Sequence, residues 1–259
     1  MATVVSSWNT ILFLTAWELM ALSSYFLVVH EDKKEQVRKA GLLYLLATHL
    51  GTALLFLFFL ILGNLSGSFN FDHFSDWITK HEDSTYIKNY LLIFSIIGFG
   101  TKAGLMPFHV WLPEAHPAAP SHISALMSGI MIKTGIYGII RTLFFLGEPL
   151  EWWGWLFIGM GALSTVGGIL YACVQSDLKR LLAYSSIENI GIITIGIGLF
   201  IIGQSKNLPL LASLGYVGML LHLINHAVYK ALLFLGAGAI LHHTGTTNMD
   251  QLGGLIKKM

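Results

Sequence analysis

Three lysines lie inside long apolar stretches of this chain, at Lys102, Lys133 and Lys230. A lysine at the centre of a bilayer costs about 2.5–3.5 kcal/mol on insertion scales, so such residues are kept for a function more often than by accident. Lys102 and Lys133 lie about ten to twelve residues into their stretches, which is roughly 15–18 Å at about 1.5 Å per residue. Lys230 lies near the middle of the longest stretch. Charges at this common depth predict a polar layer near the membrane midplane.

Two acidic residues and two histidines also lie in such apolar stretches and join the three lysines as candidates for proton transfer. Histidine titrates near neutral pH, which favours a proton relay. His222, His226 and Lys230 are spaced four residues apart, so they share one face of a helix. The alternative is a set of paired structural charges that holds a helix bundle together. The predicted proton relay comprises Glu18, Lys102, Lys133, Glu188, His222, His226 and Lys230.

A metal site is the rival interpretation of the two histidines, because His222 and His226 have a spacing that zinc can use. The residues between them lack the glutamate of the zinc-protease motif, and the next residue on the face is a cation. A bis-histidine haem has no support in the spacing. Cys173 is the single cysteine, which excludes a disulfide framework and a thiolate-held cluster. We therefore expect no metal and no cofactor.

The segment after Lys102 contains four of the chain's six prolines. Proline removes a backbone donor and clashes one turn back, and a bilayer tolerates such a break only where protein or water covers the freed groups. The pattern predicts one proline-broken helix beside a buried lysine, which is typical of an ion or proton path. Glu114 and three histidines surround the break. The histidines either gate a cytoplasmic entrance or satisfy freed backbone groups; they are His109, His116 and His122.

The composition is that of a polytopic membrane protein. Charged residues make up 11% of the chain and hydrophobic residues 54%, and the mean hydropathy is +0.68. The net charge of +1 gives no case for nucleic-acid binding. We predict an all-α bundle of transmembrane helices in one domain, residues 1–259. About seven spans are expected, at residues 8–29, 40–63, 90–112, 121–146, 152–173, 178–203 and 209–243.

Positive charge predicts the orientation of the bundle. Lysines and arginines concentrate in the connections on one side, eight against three on the other, and such residues favour the cytoplasm. We therefore expect an external N-terminus and a cytoplasmic C-terminus in a prokaryotic inner membrane. No signal peptide is recognised. The eight are Lys33, Lys34, Arg38, Lys39, Lys179, Arg180, Lys257 and Lys258, and the three are Lys80, Lys88 and Lys206.

Long ordered segments resemble a known family. They are WELMALSSY, GTKAGLMPFHVWLPEAHPAAPSHISALMSG, MIKTGIYGIIR, DLKRLLAYSSIENIGI and HLINHAVYKALLFLGAGAI. The chain resembles the antiporter-like proton-translocating subunits of respiratory complex I, of Mrp-type sodium/proton antiporters and of energy-converting hydrogenases. The variants AHPAAPSHISALMSG and YSSIENIGI are most similar to the large membrane subunit of formate hydrogenlyase and group 4 nickel–iron hydrogenases. Complex I relatives usually lack a glutamate corresponding to Glu188.

The resemblance implies two inverted five-helix repeats, each with one broken helix. It implies that Glu18 is the carboxylate partner of a switching lysine, Lys102, and that Lys133 is a connecting lysine. The His222, His226 and Lys230 stripe then forms the central relay. Residues 8–243 match the family's fifth to eleventh helices. We therefore expect a fragment that does not carry protons across a bilayer alone.

The function implied is that of a proton-translocating membrane subunit in a multi-subunit respiratory oxidoreductase. The complex would resemble NADH dehydrogenase or a membrane-bound hydrogenase, and this subunit would hold no redox centre of its own. Expected partners are other membrane subunits, a peripheral redox arm and the lipid bilayer. The transported ion is the proton, with sodium as an alternative. Two other functions stay open: a subunit of a sodium/proton antiporter complex without redox chemistry, and a scaffold whose charges only bind neighbouring subunits.

Overall fold

The computed structural model describes residues 1–81 and 84–255, so Lys257 and Lys258 lie outside the described residues. The described part is helical and contains no β-strand. A π-helical segment, Met127–Met131, lies within the continuous helix Ser121–Leu146. The helices are α1 Ala2–Ser6, α2 Thr10–Val28, α3 Glu35–Ser66, α4 Phe71–Lys80, α5 Thr85–Ala103, α6 Leu112–Ala118, α7 Ser121–Leu126, α8 Ile132–Leu146, α9 Glu151–Cys173, α10 Leu178–Ser205 and α11 Pro209–Thr244.

The prediction of an all-α polytopic bundle is confirmed. Six helices of the described chain are long and apolar enough to cross a membrane: α2, α3, the continuous helix Ser121–Leu146, α9, α10 and α11. The third predicted span, residues 90–112, differs most from the structure. Its helix α5 begins earlier, at Thr85, and ends at Ala103. Lys102 therefore lies in the last turn of a helix, directly before the break.

The broken helix keeps its freed backbone groups satisfied through long-range hydrogen bonds. Gly104 ends α5 with φ 77°, a left-handed conformation that glycine adopts without strain. The indole N–H of Trp111 donates to the carbonyl of Thr101 at 2.8 Å. The main-chain N–H of Met106 donates to the hydroxyl of Ser164 on α9 at 3.0 Å. Protein groups thus cover the break, as a membrane interior requires.

Glycines let the long helices approach closely. A Cβ at Gly161 of α9 would lie 2.7 Å from the carbonyl oxygen of Gly191 on α10, and one at Gly198 would lie 2.7 Å from that of Gly154. A Cβ at Gly135 of α8 would lie 2.5 Å from the carbonyl oxygen of Phe99 on α5. Small residues at such crossings drive helix association in membranes, where water does not push apolar faces together. The crossing at Gly135 sets the distance between the helices that carry Lys102 and Lys133.

The 64–89 segment, which lies between two predicted spans, contains the short amphipathic helix α4. Phe71, Phe74 and Ile78 are buried on one face of it. Their spacing of three and four residues is that of a helix stripe. The Phe71 ring stacks on Phe59 of α3 with 5.7 Å between centroids. This helix closes the end of the bundle opposite the 31–39 connection.

Candidate functional site

Lys102 is buried, with 2% of its surface exposed. Its ammonium donates to the hydroxyl of Tyr44 on α3 at 3.3 Å. The same nitrogen lies 5.6 Å from the ring centroid of Trp17 and 5.5 Å from that of Tyr44. Aromatic faces attract a cation, so these rings help to hold the lysine. Lys102, Tyr44 and Trp17, together with Ser24 described below, form the Lys102 group.

Glu18 contacts a histidine rather than the lysine expected from sequence. One carboxylate oxygen, Oε2, lies 3.7 Å from Nε2 of His49 on α3. The other, Oε1, is buried and has no hydrogen-bond partner in the described residues. No direct ion pair joins Glu18 to Lys102 within the described part of the chain.

Lys133 and Lys230 bond to residues that a pair of serine hydroxyls joins. The ammonium of Lys133 donates to the main-chain carbonyl of Ser128, and that of Lys230 donates to the carbonyl of Leu182 at 3.0 Å. The hydroxyl of Ser128 lies 2.8 Å from the hydroxyl of Ser186. Ser186 also donates to the carbonyl of Leu182, at 3.0 Å. These five residues, which we call the central group, link α7–α8, α10 and α11.

The histidine stripe of α11 has two different environments. His226 is fully buried, and its two ring nitrogens have no hydrogen-bond partner among the described residues. The ring of His222 lies parallel to it, with 6.3 Å between centroids. Nε2 of His222 lies 2.8 Å from Oδ1 of Asn189, and Tyr229 donates to the same oxygen at 2.6 Å. Asn189 on α10 therefore orients two side chains of α11.

Glu188 is half-buried on α10, beside these residues but not bonded to a lysine in the described structure. One of its carboxylate oxygens accepts a hydrogen bond from Ser185 at 3.3 Å. Its main-chain carbonyl accepts one from Thr165 on α9, also at 3.3 Å. Its backbone packs against Gly168, where a Cβ would lie 2.6 Å from the nitrogen of Glu188. The main chain of Glu188 therefore packs against α9.

A methionine separates the Lys102 group from the central group. Met131, the last residue of the π segment, is fully buried. Its sulfur accepts from the hydroxyl of Ser24 at 3.2 Å and from that of Tyr44 at 3.7 Å. A thioether accepts weakly and has no proton to donate. The π segment therefore presents an apolar side chain to the Lys102 group and a carbonyl to Lys133.

A polar cleft of about 920 Å³ opens at one end of the bundle. Arg180 forms an ion pair with Glu114 there, and Lys179 donates to the carbonyl of Ala119, next to the prolines, at 2.7 Å. A hydrogen bond and the positive charge of Lys34 hold the pKa of the Glu31 carboxyl below its usual value. The lining comes from the 31–43, 114–120 and 177–180 segments. Sequence had placed these segments on one side of the membrane.

His116 lies between this cleft and α11. It is fully buried, and its ring stacks on Phe234 with 4.6 Å between centroids. Neither ring nitrogen has a hydrogen-bond partner in the described part of the chain. His116 therefore does not satisfy freed backbone groups with its ring, which was one of the two interpretations left open by the sequence.

Several residues that hold this site together were missed from sequence: Tyr44, His49, Ser128, Met131, Ser186 and Asn189. Buried polar residues need partners, but nothing in a single chain says which distant residue supplies them. No group of three or more His, Cys, Asp or Glu side chains that could hold a metal occurs among the described residues.

Known proteins are similar in sequence to nearly the whole chain. A family model described as NADH:quinone oxidoreductase/Mrp antiporter, TM, matches residues 7–259. Hydrogenase-4 component B of Escherichia coli K12 is 46% identical over 255 residues, which are 97% of this chain and 37% of that protein. Formate hydrogenlyase subunit 3 of the same strain is 35% identical over 97% of this chain and 40% of its own length. The chain thus spans well under half the length of these relatives.

A solved structure has the same fold. The structure of the Mrp complex from Dietzia sp. DQ12-45-1b contains a chain that superposes with a TM-score of 0.84 and 27% identity. The match covers 99% of this chain and 27% of that one. This chain and the matched chain of that complex therefore share one fold. The helices that carry the buried lysines belong to it.

Proposed function

We propose that this chain, which belongs to the NADH:quinone oxidoreductase/Mrp antiporter transmembrane family, moves protons as a membrane subunit of a respiratory oxidoreductase complex. The resemblance predicted from sequence, including the likeness to formate hydrogenlyase and group 4 hydrogenases, is confirmed by the relatives. Their names describe parts of multi-component hydrogen-metabolising systems. Electron transfer in a peripheral arm of partner subunits would drive the proton movement, and this subunit would need no redox centre.

One observation carries the proposal: three buried lysines have only neutral hydrogen-bond partners in the described structure. Lys102, Lys133 and Lys230 are 2%, 7% and 0% exposed. Their ammonium groups donate to a tyrosine hydroxyl and to two main-chain carbonyls. A buried charge without a counter-charge is expensive. A lysine in such a site is suited to holding a proton temporarily and passing it on, whereas a structural lysine is better served by a bound carboxylate.

The proposed roles follow the geometry. The cleft at the 31–43 end gives access from the cytoplasm, which agrees with the charge bias and requires an external N-terminus. Lys133 and Lys230 exchange protons within the central group, with His222 and His226 continuing along α11. Lys102 is a second site that holds a proton. The Glu18–His49 pair and Glu188 lie beside the main path and exchange protons with it. We treat residues 1–259 as one proton-translocating domain.

The test uses the complex that contains this chain, purified and reconstituted into liposomes with an internal pH dye. Addition of the electron donor should acidify or alkalinise the lumen in step with electron transfer, and an uncoupler should abolish the signal. Electron transfer without any change in internal pH would defeat the proposal.

A sodium/proton antiporter is the second candidate, because the family includes Mrp antiporters and the Dietzia structure matches 99% of the chain. In that case no redox chemistry is required. A sodium gradient imposed on the same liposomes, without an electron donor, should then move protons. If proton movement needs the electron donor and ignores sodium, the respiratory function is favoured. A scaffold role would instead show as loss of assembly when Lys102 is neutralised.

A further inference from the structure

We propose that the hydroxyls of Ser128 and Ser186 form the bridge through which protons pass between Lys133 and Lys230. The inference deepens the proposed function and rests on it. Both serines are fully buried, and their hydroxyl oxygens lie 2.8 Å apart. They join the π segment to α10 midway between the two lysines. No carboxylate belongs to this bridge in the described structure.

Lys230 shares an acceptor with one serine hydroxyl, and Lys133 donates to the main chain of the other serine. Lys230 and the Ser186 hydroxyl donate to the same carbonyl oxygen of Leu182, each at 3.0 Å. Lys133 donates to the main-chain carbonyl of Ser128, the residue whose hydroxyl forms the other half of the bridge. A lysine side chain is long and flexible. Passage through the bridge therefore requires a change of its last torsions that moves each ammonium from carbonyl to hydroxyl.

The two hydroxyls can point their hydrogens in either direction. A serine hydroxyl has one donor and two acceptor positions and rotates to suit its partners. Ser186 can donate to Leu182 while it accepts from Ser128, or it can donate to Ser128 itself. The bridge therefore has two hydrogen-bonded states, and neither leaves a serine without a partner.

The proton balance of one passage is simple. The ammonium of Lys133 gives a proton to the Ser128 oxygen as the Ser128 hydrogen moves to Ser186. The Ser186 hydrogen moves to the neutral amine of Lys230. Lys133 ends neutral, Lys230 ends charged, and both serines end as hydroxyls with a different hydrogen. Rotation of the two hydroxyls resets the bridge.

The experiment compares serine variants in the complete reconstituted complex. Ser128→Ala and Ser186→Ala should each lower donor-driven proton flux about tenfold. A tenfold loss corresponds to an activation free energy raised by about 1.4 kcal/mol, which is the size of one hydrogen bond. The flux of the double variant should be no lower than that of either single variant, because loss of one hydroxyl already interrupts the path. Ser186→Thr keeps a hydroxyl and should retain most of the flux. Assembly and thermal stability should stay near those of the parent complex.

Ser95→Ala is the matched control. Ser95 is also fully buried, and its hydroxyl bonds only to its own helix, to the carbonyl of Leu92 at 2.9 Å. Loss of flux in this control equal to that of Ser186→Ala would show a general packing effect and overturn the bridge. So would parental flux in Ser128→Ala and Ser186→Ala, or losses that multiply in the double variant.

The bridge and the proposed function fail in different ways. If the parent complex pumps protons and the serine variants pump equally well, the function stands and the bridge is wrong. If the parent moves no protons with the donor but passes them under an imposed membrane potential, and the serine variants do not, the bridge stands and redox coupling is wrong. If the parent moves no protons under either condition, both are wrong.

Discussion

Adding one methyl group at Gly161 tests whether the contact between α9 and α10 sets the position of the site. An alanine Cβ there would lie 2.7 Å from the carbonyl oxygen of Gly191 and 2.9 Å from the main-chain nitrogen of Ile195. Both are backbone atoms, so the clash is relieved only if α10 moves away. Overpacking costs about 1–3 kcal/mol. The better helix propensity of alanine, about 1 kcal/mol, offsets only part of it.

Gly159 provides a matched control on the same helix. A Cβ at this position meets no atom within 4 Å. Gly159→Ala therefore gains the helix propensity without a clash, and the free energy of unfolding should rise by up to about 1 kcal/mol. We expect Gly161→Ala to be less stable than Gly159→Ala by about 1–3 kcal/mol.

Unfolding in a mild detergent, followed by circular dichroism as denaturant is added, measures this difference. Since α10 carries Ser186 and Asn189, Gly161→Ala should also slow proton flux in the reconstituted complex, while Gly159→Ala should not. Equal stability of the two alanine variants would refute the reasoning, because it would mean that the α9–α10 contact is looser than the structure shows.

Three further predictions address separate parts of the molecule. Asn189→Leu removes the acceptor of two hydrogen bonds, so the unfolding free energy should fall by about 1–3 kcal/mol in the same detergent assay; unchanged stability would contradict the role of the amide. Met131→Gln places a hydrogen-bonding group of similar length against the Tyr44 hydroxyl. This variant should raise passive proton flux under an imposed potential, whereas Met131→Leu should not. Equal flux in the two variants would show that the methionine is not a barrier. Cys173 is exposed at the end of α9 and should react with an impermeant maleimide only from the cytoplasmic side. Labelling of intact cells from outside would show that the predicted orientation is reversed.

The sequence predicted the helices and the buried lysines because both follow from local patterns. Apolar length and four-residue spacing are readable in one chain, and Lys102, Lys133 and Lys230 are buried as expected. The break after Lys102 was also readable, because proline and glycine act on their own backbone. Its covering partners, such as Ser164, come from a helix some 60 residues away and carry no local signal.

The partners of the charges could not be predicted for the same reason. Glu18 was expected to pair with Lys102, but its carboxylate contacts His49, at 3.7 Å. The π segment is a second case: one extra residue in a turn shifts every later side chain, and the Met127–Met131 sequence shows no sign of it. The Ser128–Ser186 contact depends on that shift, so only the three-dimensional structure shows it.

The most direct test of the account is donor-driven proton translocation by a complex that carries Lys102→Ala. Lys206→Ala serves as the control, because Lys206 is half-exposed at the end of α10 and bonds Glu151 at 2.8 Å. Both complexes should assemble, and the control should translocate protons with the parental ratio of protons to electrons. The account predicts that Lys102→Ala loses most or all translocation. A parental ratio in Lys102→Ala would contradict the claim that the buried lysines carry the protons.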